Sequence, residues 1–216
     1  RRHTRYIGDW SSDVCSSDLR DLNTYAWTYW DNMFSNEEIE NIKEYCSKFG
    51  TEKATILGQK SDENITDETV DKIRRSKVKF HNINSDNAWI FEKLNFIISS
   101  LNESYYNYNL NGYDAFQYTE YDINDEYTWH QDIVHGKNTL GHTRKLSLSL
   151  NLTESGVDYT GGQFQINTSS ESDSEFISQP KGRAIVFPSY TLHRVKPVIT
   201  GVRKSLVVWV TGPKFR

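Results

Sequence analysis

The sequence predicts a mainly β fold in which N-terminal helices pack against one face of a sheet. Apolar residues recur at helical spacing up to about residue 103, and from residue 113 onward they alternate with a period of two. Seven short strands bounded by turn residues are predicted: Asp114–Tyr121, Thr128–Ile133, Lys145–Leu152, Gln163–Ile166, Arg183–Phe187, His193–Val198 and Lys204–Thr211. Many short strands at close spacing are typical of a sandwich, a barrel or a jelly roll.

Two main helices are predicted ahead of these strands. The first begins after Ser35, which forms a capping-box pattern with Glu38, and it ends at Gly50. Its apolar face consists of Ile39, Ile42, Tyr45, Cys46 and Phe49. The second begins at residue 85 or 86 and ends near residue 103. Helices followed by strands indicate that the helices support one sheet.

The segments between these elements are predicted from shorter signals. A short helix, Asp67–Arg74, precedes a strand, Ser76–His81, and we interpret His81 as a surface or strand-end residue. The pair Gly161-Gly162 indicates a turn with positive φ, as does Lys181-Gly182. Residues 167–178 are rich in serine and acidic residues, which is typical of a solvated loop.

Length and charge limit the possible classes of protein. The chain has 216 residues, enough for one domain with a substantial core. Its net charge of −4 argues against a broad nucleic-acid-binding surface. No apolar run approaches the length needed to cross a membrane, and no secretory signal is found.

Residues 1–19 have no strand or helix periodicity, and part of this segment back-translates to a sequence that resembles a common sequencing adapter. We therefore expect a non-native or disordered tail. Residues 20–112, a helical support region, and residues 113–216, the β core, are expected to form one domain. Cys15 lies in the tail, so Cys46 is the single thiol of that domain. One thiol cannot form an internal disulfide, which favours a reducing, cytoplasmic setting, and we interpret Cys46 as a core residue.

One constellation of residues carries chemistry. On a strand, alternation puts His130 and Asp132 on the same face, and His193 supplies a second imidazole from a distant strand. Two histidines and a carboxylate that leave other positions open form the facial triad of non-haem Fe(II) oxygenases. A His-x-Asp tripeptide alone is weak evidence, since it arises easily by chance. Ten residues after His193, however, Arg203 lies in an apolar strand, where a buried cation requires an anion.

These residues belong to a longer pattern: Tyr121…His130-Gln131-Asp132, Gly161-Gly162-Gln163-Phe164, and Gly182-Arg183-Ala184-Ile185-Val186-Phe187-Pro188…His193-Arg194-Val195…Gly201-x-Arg203-x-Ser205. From about Tyr25 to Pro213 the chain resembles Fe(II)- and 2-oxoglutarate-dependent dioxygenases of the prolyl 4-hydroxylase type, including PKHD-type hydroxylases of bacteria and phages. The resemblance implies a double-stranded β-helix, or jelly roll, with helices packed on its major sheet.

The resemblance also implies roles for single residues. His130, Asp132 and His193 match the iron ligands. Arg203 matches the basic residue that pairs with the distal carboxylate of 2-oxoglutarate, and its planar fork suits a carboxylate.

Other matches are looser. Tyr121 matches a tyrosine that is expected to hydrogen-bond the co-substrate, and Trp209 is expected to form a wall of the pocket. Ser205 shares the Arg203 face of the strand by alternation, so its hydroxyl is expected to reach the same co-substrate. Tyr127 and Arg144 lie near positions that face the prime substrate in relatives. Pairing of Arg144 with a surface acid is an equal alternative.

The resemblance implies Fe(II), 2-oxoglutarate and dioxygen as cofactor and co-substrates, and it allows for ascorbate. The expected reaction is hydroxylation of an unactivated C–H in an amino-acid residue, prolyl-like, of a peptide or protein, or in a related small molecule. The alternatives are oxidative demethylation of nucleic-acid bases, which the acidic charge disfavours, and a non-catalytic jelly roll that binds sugar or metal. No membrane partner is expected, and the sequence does not define the oligomeric state.

Overall fold

A computed structural model describes the backbone of residues 2–3 and residues 25–56, 66–113, 115–133, 142–167 and 174–215. Cys15 and most of the tail predicted at residues 1–19 lie outside the described residues. Of that tail, Arg2–His3 forms a short strand at a sheet edge. That residues 1–19 are a non-native or disordered tail stays a prediction.

The helices are α1 (Asn36–Ser47), α2 (Asp67–Ile73) and α3 (Ala88–Leu101), and a π-helical turn (Asn102–Tyr106) follows α3. The predicted capping box is confirmed, since the Glu38 amide donates to Ser35 Oγ at 3.1 Å and the Ser35 amide donates to the Glu38 carboxylate at 2.8 Å. Each helix forms close to its predicted position. None of the helices in the described part of the chain is long and apolar enough to span a bilayer.

The strands are β1 (Arg2–His3), β2 (Thr28–Trp30), β3 (Glu52–Lys53), β4 (Arg74–Arg75), β5 (Lys77–His81), β6 (Gly112–Tyr113), β7 (Phe116–Tyr121), β8 (Glu126–His130), β9 (His142–Asn151), β10 (Tyr159–Gly161), β11 (Phe164–Asn167), β12 (Ser174–Ile177), β13 (Ala184–Pro188), β14 (Leu192–Val195), β15 (Val198–Gly201) and β16 (Arg203–Pro213). The major sheet has the order β1-β2-β13-β9-β16-β7-β5-β3, with β6 beside β16. The minor sheet has the order β12-β11-β14-β8-β4, and β10 pairs with β15. Two facing antiparallel sheets of this kind form the predicted jelly roll.

Alternation along the major sheet separates two environments. On β9, Leu146, Leu148 and Leu150 face α1 and α3 and are fully buried there. Ser147 and Ser149 point to the opposite face of β9, as expected for alternate residues of a strand. A second apolar cluster, which includes Phe164, Ile185, Phe187 and Val195, fills part of the space between the two sheets. The helices thus cover one face of the major sheet, and the site lies on the other.

All seven predicted strands overlap observed strands, but several boundaries differ. The predicted strand His193–Val198 is two strands, because Pro197 has no amide hydrogen to continue the ladder. The loop predicted at residues 167–178 is wrong for Ser174–Ile177, which pairs with β11 and buries Ile177. Ser174 and Glu175 lie in this edge strand, which tolerates polar residues on its open face.

Two predicted turns are confirmed. Gly161 and Gly162 have φ of 73° and 60°, and Gly182 has φ of 86°. A Cβ at Gly161 would lie 2.5 Å from the Pro197 carbonyl oxygen, and one at Gly162 would lie 3.1 Å from Arg203 Cδ. These glycines therefore allow β10 and its turn to approach β15 and β16 closely.

The two core predictions have different outcomes. Cys46 is fully buried, and burial raises the pKa of its thiol to about 12, so it is an inert core residue. His81 ends β5, as predicted, but the expectation of a surface position is wrong because only 5% of it is exposed. Its ring packs against those of Phe49 and Phe116, and its Nε2 has no partner among the described residues. Burial, and then Lys79, lower the pKa of His81.

We predict that His81→Phe makes stability less sensitive to acid. The unfolded chain takes up the His81 proton at about pH 6.5, whereas the folded chain resists protonation, so wild-type stability falls below that pH. The slope is at most about 1.4 kcal/mol per pH unit. Urea unfolding at pH 7.5 and pH 5.5 measures the difference, with His142→Phe, at an exposed histidine, as the control. Equal losses of stability in wild type and His81→Phe would contradict this prediction.

Candidate active site

A cavity of about 170 Å³ lies between the two sheets. His130, Asp132 and His193 line it, and their potential ligand atoms all lie within 4.8 Å of one another. Asp132 Oδ2 is 3.6 Å from His193 Nε2, and Asp132 Oδ1 is 3.8 Å from His130 Nε2. The histidines are directly opposite each other on the neighbouring strands β8 and β14. The three predicted metal ligands are therefore brought together.

Backbone carbonyls orient both imidazoles. His130 Nδ1 lies 2.8 Å from the Thr128 carbonyl oxygen, and His193 Nδ1 lies 2.9 Å from that of Thr191. A carbonyl oxygen can only accept, so each Nδ1 carries the hydrogen and each Nε2 keeps its lone pair. Second hydrogen bonds of this kind fix the ring and tautomer of metal-binding histidines. Both lone pairs are thus available on the side of Asp132.

Asp132 reaches this position by a route that differs from the predicted one. Strand β8 ends at His130, so the expected strand alternation through residue 132 is wrong. Instead, the amides of Asp132 and Ile133 both donate to the Ser189 carbonyl oxygen at 2.9 Å. This clamp to the turn between β13 and β14 holds the carboxylate beside the histidines.

The lowered pKa values of His130 and Asp132 suit the binding of a cation. Burial, and then the neighbouring His193, lower the pKa of His130 to about 3, so its imidazole is neutral near pH 7. Burial alone would raise the pKa of Asp132, but His193 and His130 hold it below the ordinary value. Two imidazoles and one carboxylate are the donor set that suits Fe(II).

Arg203 lies in the same cavity and is 1% exposed. Its Nη2 donates to Gln179 Oε1 at 2.8 Å and its Nη1 to Ser205 Oγ at 3.3 Å, while its Nε has no partner among the described residues. Both acceptors are neutral, and within the described ranges no carboxylate forms an ion pair with this guanidinium. The charge of Arg203 is therefore left for an anion in the cavity.

Gln179 is a site residue that the sequence did not indicate. Its Nε2 donates to the Ser149 carbonyl oxygen at 3.1 Å and to Ser149 Oγ at 3.2 Å, which orients its Oε1 toward Arg203. It lies in the segment between β12 and β13, where no local pattern marks it. Only the fold brings it within reach of β16.

The other predicted site residues also line the cavity. Tyr121 is opposite Arg203 across β7 and β16, and its ring centroid lies 5.5 Å from Arg203 Cζ. Tyr127 stacks on His130 with ring centroids 3.4 Å apart. Arg144 Cζ lies 4.0 Å above the Trp209 ring, and its Nη1 donates to the Asp132 carbonyl oxygen at 3.4 Å. Arg144 therefore lies at the cavity, and its contact with the prime substrate stays a prediction.

A further lining residue, Arg74, was also missed. The sequence predicted it as the last residue of a helix, but α2 ends at Ile73 and Arg74 begins β4. Paired with Tyr127 on β8, it is 7% exposed. Its two-residue strand is too short to give a periodic signal.

The fold and the site define a jelly-roll protein with an open triad for a non-haem metal. Residues 116–211 match the model of the 2OG-Fe(II) oxygenase superfamily. This region includes the triad and Arg203, so the match covers the residues that form the candidate site.

Curated relatives are similar to part of the same region. A PKHD-type hydroxylase of Synechococcus sp. strain CC9605 is 36% identical over 86 residues, which are 40% of this chain and 36% of the relative. Another, of Shewanella frigidimarina, is 33% identical over 96 residues, or 43% of this chain and 41% of the relative. The matched regions thus span less than half of these relatives.

Solved structures share the fold over a larger part of the chain. A Pseudomonas putida prolyl-4-hydroxylase superposes with a TM-score of 0.65 at 17% identity, covering 90% of this chain and 96% of that one. A prolyl hydroxylase in complex with a peptide fragment of hypoxia inducible factor, from Trichoplax adhaerens, has a TM-score of 0.67 at 20% identity and covers 88% and 84%. The jelly-roll fold is therefore that of prolyl hydroxylases.

We predict that His193→Ala abolishes binding of Fe(II), because it removes one of three convergent donors. Anaerobic equilibrium dialysis measures the bound iron. His142→Ala is the matched control, since His142 is an exposed histidine that pairs with Asn111. Wild-type iron content in His193→Ala would contradict the triad.

We predict that Gln179→Glu weakens binding of 2-oxoglutarate by roughly tenfold or more, because a carboxylate beside Arg203 neutralises the charge that its neutral amide leaves available. Iron binding should hardly change. Gln165→Glu is the matched control, because Gln165 Oε1 accepts from Arg194 Nε at 2.6 Å outside the cavity lining. Titration of the anaerobic Fe(II) protein with 2-oxoglutarate measures the effect, and equal affinities in the two variants would contradict it.

Proposed function

We propose that the chain is an Fe(II)- and 2-oxoglutarate-dependent dioxygenase. It hydroxylates an unactivated C–H of an amino-acid residue, prolyl-like, in a peptide or protein, or of a related small molecule. The single observation that carries the proposal is Arg203: a buried guanidinium with an unpartnered Nε faces the same cavity as the triad. A site that only bound a metal would have no use for this charge.

His130, Asp132 and His193 hold the iron in this proposal, and three protein ligands leave positions open for other groups. Together with 2-oxoglutarate and dioxygen, iron supplies the oxidising power that converts C–H to C–OH, with succinate and carbon dioxide as the other products. The carbonyl oxygens of Thr128 and Thr191 orient the two imidazoles. The ligands are therefore arranged before the metal arrives.

Arg203 binds the carboxylate of 2-oxoglutarate that lies farthest from the metal. Its planar fork suits two parallel hydrogen bonds to a carboxylate, and Ser205 beside it offers a hydroxyl. Tyr121 faces the same cavity and stays neutral, because burial raises the pKa of its phenol. It can therefore donate a hydrogen bond to the co-substrate.

Apolar residues line the part of the site around His193 and limit the access of water. The ring of His193 packs against Phe187 and Phe164, with centroids 4.6 Å and 5.6 Å away. Val195 and Val207 line the same space. Exclusion of water strengthens the interaction of Arg203 with an anion and protects a reactive oxidant from side reactions.

The proposed substrate class is supported by the relatives. The Trichoplax adhaerens structure contains a peptide fragment, and the curated relatives are called PKHD-type hydroxylases. Tyr127 and Arg144 are placed at the cavity surface, where they can contact such a substrate. The net charge of −4 gives no support to a nucleic-acid substrate.

We predict that Arg203→Ala raises the concentration of 2-oxoglutarate needed for half-saturation by on the order of a hundredfold or more. Loss of one partner from a buried charged pair costs roughly 2–5 kcal/mol. Arg203→Lys should have a smaller effect, since an ammonium keeps the charge and loses the fork. Fe(II) affinity should hardly change in either variant.

The measurement is the metal-to-ligand charge-transfer band of the anaerobic Fe(II) protein during titration with 2-oxoglutarate. Lys204→Ala is the matched control, because Lys204 is the next cation along β16, points to the other face and pairs with Glu120 at 3.0 Å. Saturation of Arg203→Ala at the wild-type concentration would remove the anchor from the proposal.

A further inference from the structure

Arg74 is a second buried guanidinium in the cavity. It lies on β4 at the edge of the minor sheet, whereas Arg203 lies on β16 in the major sheet. Only 7% of Arg74 is exposed, and it lines the same cavity as the triad. Such a buried arginine requires a partner of opposite charge, either from the protein or from a ligand.

The described residues offer Arg74 no such partner. Its Nε donates to Ser76 Oγ at 3.0 Å, and its Cζ lies 4.6 Å above the ring of Tyr127. Neither contact neutralises the charge, and no carboxylate within the described part of the chain forms an ion pair with it. The remaining N–H groups of Arg74 are therefore available to a ligand in the cavity.

The adjacent residue, Arg75, shows how a structural arginine behaves on the same strand. Its Nη2 pairs with the Glu126 carboxylate at 2.6 Å, and its Nη1 donates to the Asp71 carbonyl oxygen at 3.0 Å. Strand alternation turns Arg75 away from the cavity and Arg74 toward it. The local acidic partner thus serves Arg75 and leaves Arg74 without one.

The charges of the cavity point to a second anion. Among the described residues that line it, Arg74 and Arg203 are buried cations without an acidic partner, and Asp132 is the single acidic residue. Iron(II) and 2-oxoglutarate carry opposite charges of equal size, so they leave this excess of positive charge unchanged. Of the two carboxylates of 2-oxoglutarate, the proposed function assigns one to the metal and one to Arg203. Neither is left for Arg74.

We propose that Arg74 binds a carboxylate of the prime substrate. This inference rests on the proposed function and specifies its substrate class: a molecule with a carboxylate only a few bonds from the carbon that is oxidised. The carboxylate has to be near the oxidised carbon because Arg74 is close to the metal ligands. Its guanidinium packs against the ring of Tyr127, and that ring stacks on the imidazole of His130, a proposed metal ligand. A free amino acid, a C-terminal residue and an acidic side chain beside the oxidised residue all present this chemistry.

The test measures binding of acetate to protein that is already loaded with Zn(II), in place of iron, and with 2-oxoglutarate. The filled co-substrate site keeps acetate away from Arg203. Relaxation of the acetate methyl proton signal, in buffer without chloride, reports the bound fraction. We expect saturable binding in the wild type, at least roughly tenfold weaker binding in Arg74→Gln, and partial recovery in Arg74→Lys, which keeps the charge.

Arg75→Gln is the matched control, since it removes an equal charge one residue away and on the other face. It should bind acetate like the wild type. The proposal is overturned if wild type shows no saturable binding, if Arg74→Gln binds acetate as tightly as wild type, or if Arg75→Gln loses binding equally. Arg74→Met, which keeps the length of the side chain, replaces Arg74→Gln if that variant does not fold.

A second measurement separates this proposal from the proposed function. The charge-transfer band of the anaerobic Fe(II) protein with 2-oxoglutarate tests the co-substrate site alone, and acetate binding tests Arg74. If Arg74→Gln weakens the binding of 2-oxoglutarate by roughly tenfold or more, Arg74 belongs to the co-substrate site and the proposal is overturned. Otherwise, three ligands used in place of acetate identify the source of the carboxylate. They are L-proline, a peptide with a free C-terminus and a C-amidated peptide with an internal glutamate.

Discussion

The alternation of the major sheet is the constraint on which both the core and the site depend. On β16, Leu206, Val208 and Val210 pack in the core with α1 and α3, and the alternate residues Arg203, Ser205, Val207 and Trp209 line the cavity. A shift of one residue in this strand would turn Arg203 and Ser205 toward the helices and would put Leu206 in the cavity. The fully buried leucines therefore fix the register that positions the guanidinium. Stability of the helical layer and placement of Arg203 in the cavity follow from the same pairing.

The arginines of the cavity keep their positive charge because the residues that accept their hydrogen bonds are neutral. Gln179 and Ser205 accept hydrogen bonds from Arg203, and Ser76 accepts one from Arg74, so donors are partly satisfied without loss of the positive charge. Burial of a charged group without a counter-ion costs free energy that the core has to offset. The cost is recovered when an anion binds, so the protein is arranged in advance for its ligands at the expense of stability.

The sequence predicts the parts of the site that come from long strands or from motifs with fixed spacing. The triad and Arg203 belong to such motifs, and the alternation around Leu148 or Leu206 places whole strands correctly. Short elements carry too few residues for a period, which is why β4 and β12 were predicted as a helix end and a loop. Asp132 was predicted in the right place for an incorrect reason, since its position depends on the Ser189 carbonyl oxygen from a distant turn.

Arg74 lies outside the region that matches the superfamily, which bears on selectivity for the substrate. The superfamily match begins at residue 116, and it contains the triad and Arg203, which the shared chemistry requires. Arg74 lies upstream of this region, on a strand that reaches the cavity only by pairing with β8 at Tyr127. The conversion of C–H to C–OH needs the same groups for any substrate, whereas recognition of the substrate needs groups that differ between enzymes. A charged side chain that enters the cavity from outside the matched region is therefore suited to distinguish one substrate from another.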